Sequence, residues 1–281
     1  MVDFSIEIIT RGEKSLKNSL ESMVRQSYDS FEIVCANSSS QQSVSKTLDD
    51  FSVKHVEVGA VKHLRGREVS HSLSSGRFSL MMDSTRLLEY NALDILKQYI
   101  ENFDMVAIKE GSIGSGFWVN QAKIYKSISE KNTDSDKIKE KIPSYILPRL
   151  YKSNLLSKVF SSLKHKIPDK LFDSIGYGEH HIIFQEAISI TDSFFYYKNN
   201  ELIKHHEDDS MASIYRKYRS YGKDQIILMA LPKYNASNLA SHSRELSLQQ
   251  LIANLVCSPL ISIRGVSFLI GMLSRKLSVE P

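Results

Sequence analysis

Cysteine is scarce in this sequence of 281 residues, and so is net charge. The two cysteines, Cys35 and Cys257, are far apart and each lies in an apolar run, which excludes a metal site built on cysteines and indicates buried, reduced thiols. The formal charge of +4 is too small to indicate a nucleic-acid partner, although it suits an anionic ligand or lipid head groups. We therefore expect a cytoplasmic protein that does not bind nucleic acid.

Sequence signals of four other protein classes are also missing. The chain begins with a strand-like segment instead of a basic stretch and a long apolar stretch, so we expect no signal peptide. The apolar run over residues 260–273 is shorter than the ~20 residues that a membrane-spanning helix needs, and it contains Arg264. No Gly-x-Gly-x-x-Gly and no Walker loop occurs, which disfavours a dinucleotide-binding fold and a P-loop enzyme.

Short β-rich segments alternate with helical patterns over the first hundred residues, and one of these helical patterns runs from Arg67 to Ser75. This alternation is typical of a parallel sheet flanked by helices. The unbroken apolar run before Asp83 predicts a buried strand. Ligands of open α/β sheets bind beyond the carboxyl ends of the strands, so Asp83 and Ser84 are candidate ligand-binding residues. Alternatively, Asp83 merely caps the next turn.

Further along the chain, three groups of residues carry candidate chemistry. Trp118 follows a glycine-rich loop, where it could stack on a sugar ring or belong to the core. Glu179 and His180 begin a helical pattern; an imidazole can take up a proton near neutral pH, while the helix dipole alone would also favour Glu179 there. Arg216 and Arg219 lie on an amphipathic helical pattern that suits either phosphate oxygens or a membrane surface.

The C-terminal segment over residues 246–277 is mostly apolar but is broken by Pro259, Arg264 and Gly265. This pattern predicts one or two amphipathic helices. We expect these helices either to rest in a membrane interface or to pack on the domain and its partner in a homodimer.

Several segments over residues 4–232 together resemble one known family. They are the run 5–13, the segment SLESMVRQSYDSFEIV at 19–34, the run 78–84, and the later groups at 148–151, 178–184, 205–206 and 215–222. Their order and spacing look like those of family-2 glycosyltransferases of the GT-A fold. The resemblance implies a mostly parallel central sheet flanked by helices over residues 1–232, with a nucleotide-binding half over 1–100, an acceptor half over 101–232 and a helical appendage over 233–281.

The same resemblance implies an activity. A family-2 enzyme moves a hexose from a nucleotide-diphosphate sugar to an acceptor hydroxyl with inversion; the implied acceptor is a lipid-linked or envelope glycan, made by a peripheral protein on the cytosolic membrane face. Two alternatives stay open. A GT-A-type nucleotidyltransferase is disfavoured because the glycine-rich, basic loop after its first strand is missing. A catalytically silent relative would bind a nucleotide sugar or a partner protein instead.

The resemblance also implies roles for individual residues. Glu179 and His180 match the start of a Gly-Glu-Asp helix, in which an acid is the general base. Asp83, with His205 or His206, would hold Mg²⁺ or Mn²⁺, and either His71 or Arg67 would face the diphosphate. The implied nucleotide-sugar ligands are Thr10, Arg11, Glu13, Asn37, His71, Asp83, Ser84, Arg216 and Arg219.

The sequence departs from the family pattern at three of these places. Asn37 stands where the family usually has Asp, and Thr85 replaces the second carboxylate of its Asp-x-Asp. His180 stands at the position of the catalytic Asp. The loss of a carboxylate weakens the expected cation site, since hard cations prefer carboxylate oxygens. The three departures are also what supports the silent alternative.

Overall fold

A computed structural model describes residues 2–130, 146–234 and 254–276. The chain divides into two compact units. The first comprises Met1–Gly111, Pro143–Ile175 and Glu179–His205, and the second comprises Ser112–Ile142, Gly176–Gly178 and His206–Pro281. The predicted domain boundary at 232/233 falls beside residues 235–253, which lie outside the described ranges, and it stays a prediction.

Nine strands occur in the described residues. They are β1 (Phe4–Thr10), β2 (Phe31–Asn37), β3 (Lys54–Glu57), β4 (Phe78–Asp83), β5 (Arg86–Leu88), β6 (Met105–Ile113), β7 (Ile146–Lys152), β8 (Phe194–Tyr197) and β9 (Ile203–His206). The order in the sheet is β3-β2-β1-β4-β7-β6-β9-β5, and β8 pairs with β6. The first four strands are mutually parallel, whereas β7 runs antiparallel to both β4 and β6. The sheet is therefore mixed, with a parallel N-terminal half.

Helices alternate with these strands along the chain. They are α1 (Leu16–Val24), α2 (Gln42–Asp50), α3 (His63–Leu73), α4 (Ala92–Ile100), α5 (Phe117–Glu130), α6 (Ser153–Lys166), α7 (Asp169–Phe172), α8 (Glu179–Ile188), α9 (Met211–Met229) and α10 (Ser258–Lys276). In α1, Leu16, Leu20 and Met23 recur at the spacing of one helix face, and all three are buried. All seven residues of β1 are buried as well, so the core of the first unit lies on both faces of its parallel strands.

Helix α3 begins earlier than the sequence pattern indicated, at His63 instead of Arg67. Two backbone carbonyls from a distant segment account for the difference. The Lys62 N–H donates to the Asp173 carbonyl at 3.1 Å, and the Leu64 N–H donates to the Ile175 carbonyl at 3.0 Å. Because these contacts satisfy N–H groups that a helix start leaves unpaired, they stabilise an extra turn that local sequence does not predict.

In the second unit, α9 packs against α10 at two glycines. A Cβ atom added to Gly222 would lie 1.9 Å from the Phe268 carbonyl oxygen, and one added to Gly271 would lie 2.0 Å from that of Arg219. Only glycine permits this approach of the two backbones. Trp118 packs on a small cluster formed by Ala122, Ile214 and Leu260, which favours the core interpretation of this tryptophan.

Helix α10 forms most of the described part, residues 254–276, of the predicted amphipathic segment 246–277. One face of α10 is apolar and exposed, with Val266, Leu269 and Leu273 each more than half accessible to solvent. Among the described residues, no helix combines the length and the apolar character that crossing a bilayer requires.

Candidate active site

The candidate site begins where three parallel strands end at the same edge of the sheet. In the strand register, Thr10 of β1 lies beside Asn37 of β2, and Ile9 lies beside Asp83 of β4. The polar residues that follow these strands therefore meet, as expected for the ligand-binding edge of a parallel sheet.

Glu13 holds the turn after β1 to the turn after β4. Its Oε2 atom accepts hydrogen bonds from Thr10 Oγ1 at 2.9 Å and from the Arg11 N–H at 3.0 Å, and also from Ser84 Oγ. The turn itself passes through Gly12, whose φ of +86° is a backbone conformation that favours glycine. Thus four predicted nucleotide-sugar residues, Thr10, Arg11, Glu13 and Ser84, form one hydrogen-bonded group.

A cleft runs along this group toward the start of α3. Its lining residues are Ile9, Thr10, Arg11, Glu13, Ser38, Lys62, His63 and Gly66. Arg11, Lys62 and His63 give the cleft a basic character, which suits an anionic ligand. Lys62 and His63 had no predicted role, and they enter the site because α3 starts one turn early.

Asn37 is buried next to Ser38, which lines this cleft. It is fully buried; its Oδ1 accepts from the Ser39 N–H at 2.9 Å, and its Nδ2 donates to Ser45 Oγ at 3.2 Å. Asn37 thus fixes the loop that carries Ser38 to the cleft, which is the turn-forming role of asparagine. Its contact with a base or ribose stays a prediction.

Three arginines surround the carboxylate of Asp83. Arg67 Nη2 donates to Oδ1, while Arg86 Nη1 and Arg149 Nη2 lie 2.6 and 3.2 Å from Oδ2. Burial raises the pKa of Asp83, but the nearby charges of the three arginines outweigh this effect and hold the pKa well below its usual range. Asp83 is therefore ionised at any physiological pH.

A buried carboxylate, that of Glu110, also neutralises part of the positive charge of these arginines. Glu110 accepts a hydrogen bond from Arg149 Nε, and its Oε2 lies 3.6 Å from Arg86 Nε. Arg67 and Arg149 are completely buried, so each needs such partners to remain charged inside the protein.

Glu179 and His180, at the start of α8, lie next to Asp83. Glu179 Oε1 is 3.6 Å from Arg67 Nη2 and 3.8 Å from His63 Nδ1, so His63 links Glu179 to the basic cleft. His180 Nε2 lies 3.0 Å from Arg67 Nη2 and 3.5 Å from Arg149 Nη1. Burial, together with the charges of Arg67 and Arg149, holds the pKa of His180 well below its usual range. His180 is therefore neutral, and its Nε2 lone pair accepts from a guanidinium.

Asp83, Glu179 and His180 form a set of side chains that could hold a metal ion. Each offers one ligand atom, and the three atoms lie within 4.8 Å of one another. In the arrangement observed, however, Arg67 Nη2 contacts Asp83 Oδ1 and approaches both of the other ligand atoms. A cation would have to displace this guanidinium, so the residues as placed do not fit a bound metal.

The two histidines predicted as metal ligands belong to different units. His205 pairs across the strands with Arg86, so the two side chains extend from the same face of β5 and β9. His206 belongs to the second unit. Their coordination of a metal stays a prediction, as does the contact of Arg216 and Arg219, which lie on α9 in the second unit, with a diphosphate.

The structure does not bring His71 to the site. His71 lies one helical turn beyond Arg67, toward the amino ends of the strands, where its Nδ1 is 2.8 Å from Glu7 Oε1 and its Nε2 is 2.9 Å from Ser157 Oγ. Of the two residues predicted to face the diphosphate, only Arg67 lies at Asp83.

Sequence reasoning missed Arg86, Glu110 and Arg149. A signal for the last two was present, because each is a charged residue within an apolar strand-like run. A charge inside such a run needs an opposite charge nearby. What the sequence could not supply was the partner, since Glu110 and Arg149 are 39 residues apart.

Comparison with known proteins gives matches of structure alone. No family model matches the chain, and no curated protein matches it. S. aureus TarS aligns with a TM-score of 0.55 and 15% identity over 97% of this chain and 55% of the TarS chain. S. aureus TarS 1-349 in complex with UDP-GlcNAc aligns with a TM-score of 0.54 and 14% identity. The alignment covers 99% of this chain and 92% of the TarS 1-349 chain. A third match is the mannosyltransferase PcManGT from Pyrobaculum calidifontis in complex with GDP-Man and Mn²⁺. It aligns with a TM-score of 0.56 and 11% identity over 99% of this chain and 88% of the PcManGT chain.

These likenesses establish the fold of the chain. It has a mixed α/β architecture with a curled central sheet flanked by helices, as in GT-A-like glycosyltransferases. The chain spans only about half the length of the first TarS chain that it matches. At this level of sequence identity, the matches establish the fold but do not establish an activity.

Proposed function

We propose that this protein is a glycosyltransferase that moves a hexose from a nucleotide-diphosphate sugar to an acceptor hydroxyl with inversion. One observation carries the proposal: the basic cleft and the Asp83 cluster form a continuous site in a GT-A-like fold. The cleft ends at His63, His63 lies 3.8 Å from Glu179, and Glu179 lies within 3.6 Å of Arg67, which binds Asp83.

In this proposal the nucleoside occupies the cleft. Thr10, Arg11, Glu13 and Ser38 supply hydrogen-bonding groups for a base and a ribose. Lys62 and His63 line the same cleft, so the ammonium group of Lys62 and the ring nitrogens of His63 suit the diphosphate. The permanently ionised Asp83 would accept a hydrogen bond from a hydroxyl of the donor.

The general base in this proposal is Glu179. Inverting transfer requires a group that accepts the acceptor hydroxyl proton while the oxygen attacks the anomeric carbon and the diphosphate leaves. His180 is poorly suited, because its Nε2 lone pair faces Arg67 and burial disfavours its protonated form. Glu179 is an acceptor 3.8 Å from His63, which lines the cleft, and it would carry the proton away.

Replacing Glu179 tests this assignment. We expect Glu179→Gln to lower the rate of transfer by about 10²- to 10⁴-fold, the usual contribution of a general base, with little change in donor affinity. The measurement is release of nucleoside diphosphate from UDP- and GDP-sugars with a panel of glycan acceptors.

A buried carboxylate on the same helix provides the matched control. Glu186 is 1% exposed and accepts from Ser162 Oγ at 2.7 Å, away from Asp83. Glu186→Gln should alter stability but not the rate per folded molecule. Equal losses of rate in both variants, or none in Glu179→Gln, would remove Glu179 from the mechanism.

The acceptor and the setting follow from the same proposal. A lipid-linked or envelope glycan would be elongated at a cytosolic membrane face, with the C-terminal segment 246–277 resting on the lipid or pairing with a second copy. The exposed apolar side chains Val266, Leu269 and Leu273 of α10 support such a contact, because large apolar patches seldom face water without a partner.

A silent relative is the second candidate, and one observation favours it. Both oxygens of Asp83 and the Nε2 atom of His180 are already bonded to guanidinium groups. Such a protein would bind a nucleotide sugar, or a partner protein, without turnover. Tight donor binding with no diphosphate release for any acceptor in the panel would favour it.

A further inference from the structure

We propose that the guanidinium of Arg67 takes the place of the divalent cation, so that the Asp83, Glu179 and His180 set binds no metal ion in the wild-type protein. The inference rests on the proposed function only for its consequence in catalysis. Its geometric basis and its test concern the free protein.

The position of one nitrogen atom carries the inference. Arg67 Nη2 contacts Asp83 Oδ1, lies 3.0 Å from His180 Nε2 and lies 3.6 Å from Glu179 Oε1. These are the three groups that could ligate a metal. A positively charged N–H group therefore already occupies the space between the candidate ligand atoms.

Arg67 is also fixed in this position by other contacts. Its side chain is 0% exposed, and its Nη1 donates to the Met82 carbonyl at 2.5 Å. Withdrawal would leave a buried guanidinium without acceptors, which costs several kcal/mol. The side chain is thus a permanent part of the site and is not a group that a dissolved cation readily displaces.

The charge balance of the cluster supports the same conclusion. Asp83, Glu110 and Glu179 face Arg67, Arg86 and Arg149, so that three negative charges meet three positive ones. A divalent cation would add two positive charges to a buried, neutral cluster. Such an excess is costly where the effective dielectric constant is low.

Thr85 also fits this arrangement. It adds no carboxylate beside Asp83, and its Oγ1 accepts a hydrogen bond from Arg86 Nη1 at 2.9 Å. Thr85 therefore helps to hold Arg86 at the cluster and supplies no further negative charge that could balance a cation. If the protein is a glycosyltransferase, the donor should bind equally well in a chelator, with the diphosphate neutralised by protein cations.

Metal binding by the free protein tests the inference directly. Protein is titrated with Mn²⁺ without nucleotide, and the electron paramagnetic resonance signal of free Mn²⁺ is followed. The wild type should show no saturable binding below about 1 mM. Arg67→Met, which keeps the side-chain volume and removes the charge, should bind one Mn²⁺ at least tenfold more tightly.

Controls separate this site from others. Arg65→Met alters an arginine on the same helix that pairs with Asp173 and Asp169, and it should leave Mn²⁺ binding absent. Adding His180→Ala to Arg67→Met should abolish the new binding. Circular dichroism verifies that each variant is folded, and Arg67→Gln, which also removes the charge, replaces Arg67→Met with the same expected gain of binding if the latter does not fold.

The opposite results would overturn the inference. Saturable Mn²⁺ binding by the wild type that disappears in Asp83→Asn would show that the set is a working metal site despite Arg67. A folded Arg67→Met protein that gains no binding would show that the guanidinium is not what excludes the ion. Neither result depends on nucleotide binding or transfer, so the proposed function would stand or fall separately.

Discussion

Asp83 is the residue around which the arginines of the candidate site are arranged. Its side chain retains 17% of its accessible surface, whereas two of its three arginine partners retain none. The carboxylate can therefore face a ligand while its back is bonded to buried positive charges. The same ion pairs that stabilise the buried arginines therefore also fix the position of the carboxylate in the candidate site.

Removal of the charge of Asp83 should be strongly destabilising. We expect Asp83→Asn to lower the free energy of unfolding by about 3 kcal/mol, because it leaves Arg67 and Arg149 buried with too few negative partners. Urea unfolding at pH 7 measures the change. The control is Asp169→Asn. Asp169 also contacts an arginine, at 3.0 Å, but its side chain is 81% exposed. The substitution should therefore lower the free energy of unfolding by less than about 1 kcal/mol. Similar losses in both variants would contradict the role assigned to the arginines.

At the residue scale, local sequence patterns single out two acidic residues of the Asp83 cluster more readily than its arginines. Asp83 and Glu179 follow recognisable local patterns, a strand end and a helix start. Arg149 becomes a partner of Asp83 only because β7 lies antiparallel to β4. That pairing joins residues 66 positions apart, which no local pattern can predict.

At the scale of elements, α9 and α10 depend on close approach at glycine. We expect Gly222→Ala to lower the free energy of unfolding by at least about 2 kcal/mol, because its Cβ would overlap the Phe268 carbonyl and force the helices apart. Gly265 lies within α10 with no atom near its Cβ position, so Gly265→Ala should instead stabilise by about 0.5–1 kcal/mol through helix propensity. Thermal and urea unfolding of both variants measure the difference, and a loss in Gly265→Ala equal to that in Gly222→Ala would refute the packing argument.

The junction of β6 and β7 should respond to acid. Asp104 accepts hydrogen bonds from Lys152 Nζ at 2.9 Å and from Thr191 Oγ1 at 2.7 Å, and these bonds hold the pKa of Asp104 below its ordinary value. A lowered pKa in the folded state means that the stabilisation is present above the unfolded pKa of about 3.9 and is lost as the pH falls through the folded value.

Asp104→Asn tests this pH dependence. Asp104→Asn should lower the free energy of unfolding by about 1 kcal/mol at pH 7. Its difference from the wild type should be smaller at pH 3, because the stabilisation declines once the pH falls below the unfolded pKa. Urea unfolding at both pH values measures the difference, with the exposed Asp50→Asn as the control that changes little at either. An undiminished difference at pH 3 would mean that charge is not the origin of the effect.

The elements show where sequence reasoning succeeds. The parallel strands β1, β2 and β4 are short apolar runs with turn residues at their ends, so the local sequence pattern predicts them. The early start of α3 depends on the carbonyls of Asp173 and Ile175, more than a hundred residues away. Lys62 and His63 were overlooked for that reason.

At the scale of the whole molecule, the fold was predictable because the alternation of strands and helices restricts the sheet to few arrangements. The predicted mostly parallel sheet is mixed in the structure, because β7 inserts antiparallel between β4 and β6. The same insertion brings Arg149 to Asp83. The feature that local patterns predict least thus completes the candidate site.

Binding of a nucleotide is the property on which the functional account depends most directly. The decisive measurement is the thermal midpoint of the full chain with UDP, GDP, UDP-GlcNAc or GDP-Man, each with EDTA and with Mn²⁺, for the wild type and for Lys62→Met. A ligand at a hundred times its dissociation constant adds about 2.7 kcal/mol, so we expect one nucleotide series to raise the midpoint by roughly 5 °C. The shift should be equal in EDTA and should shrink in Lys62→Met. No shift with any nucleotide, with or without Mn²⁺, would contradict the account.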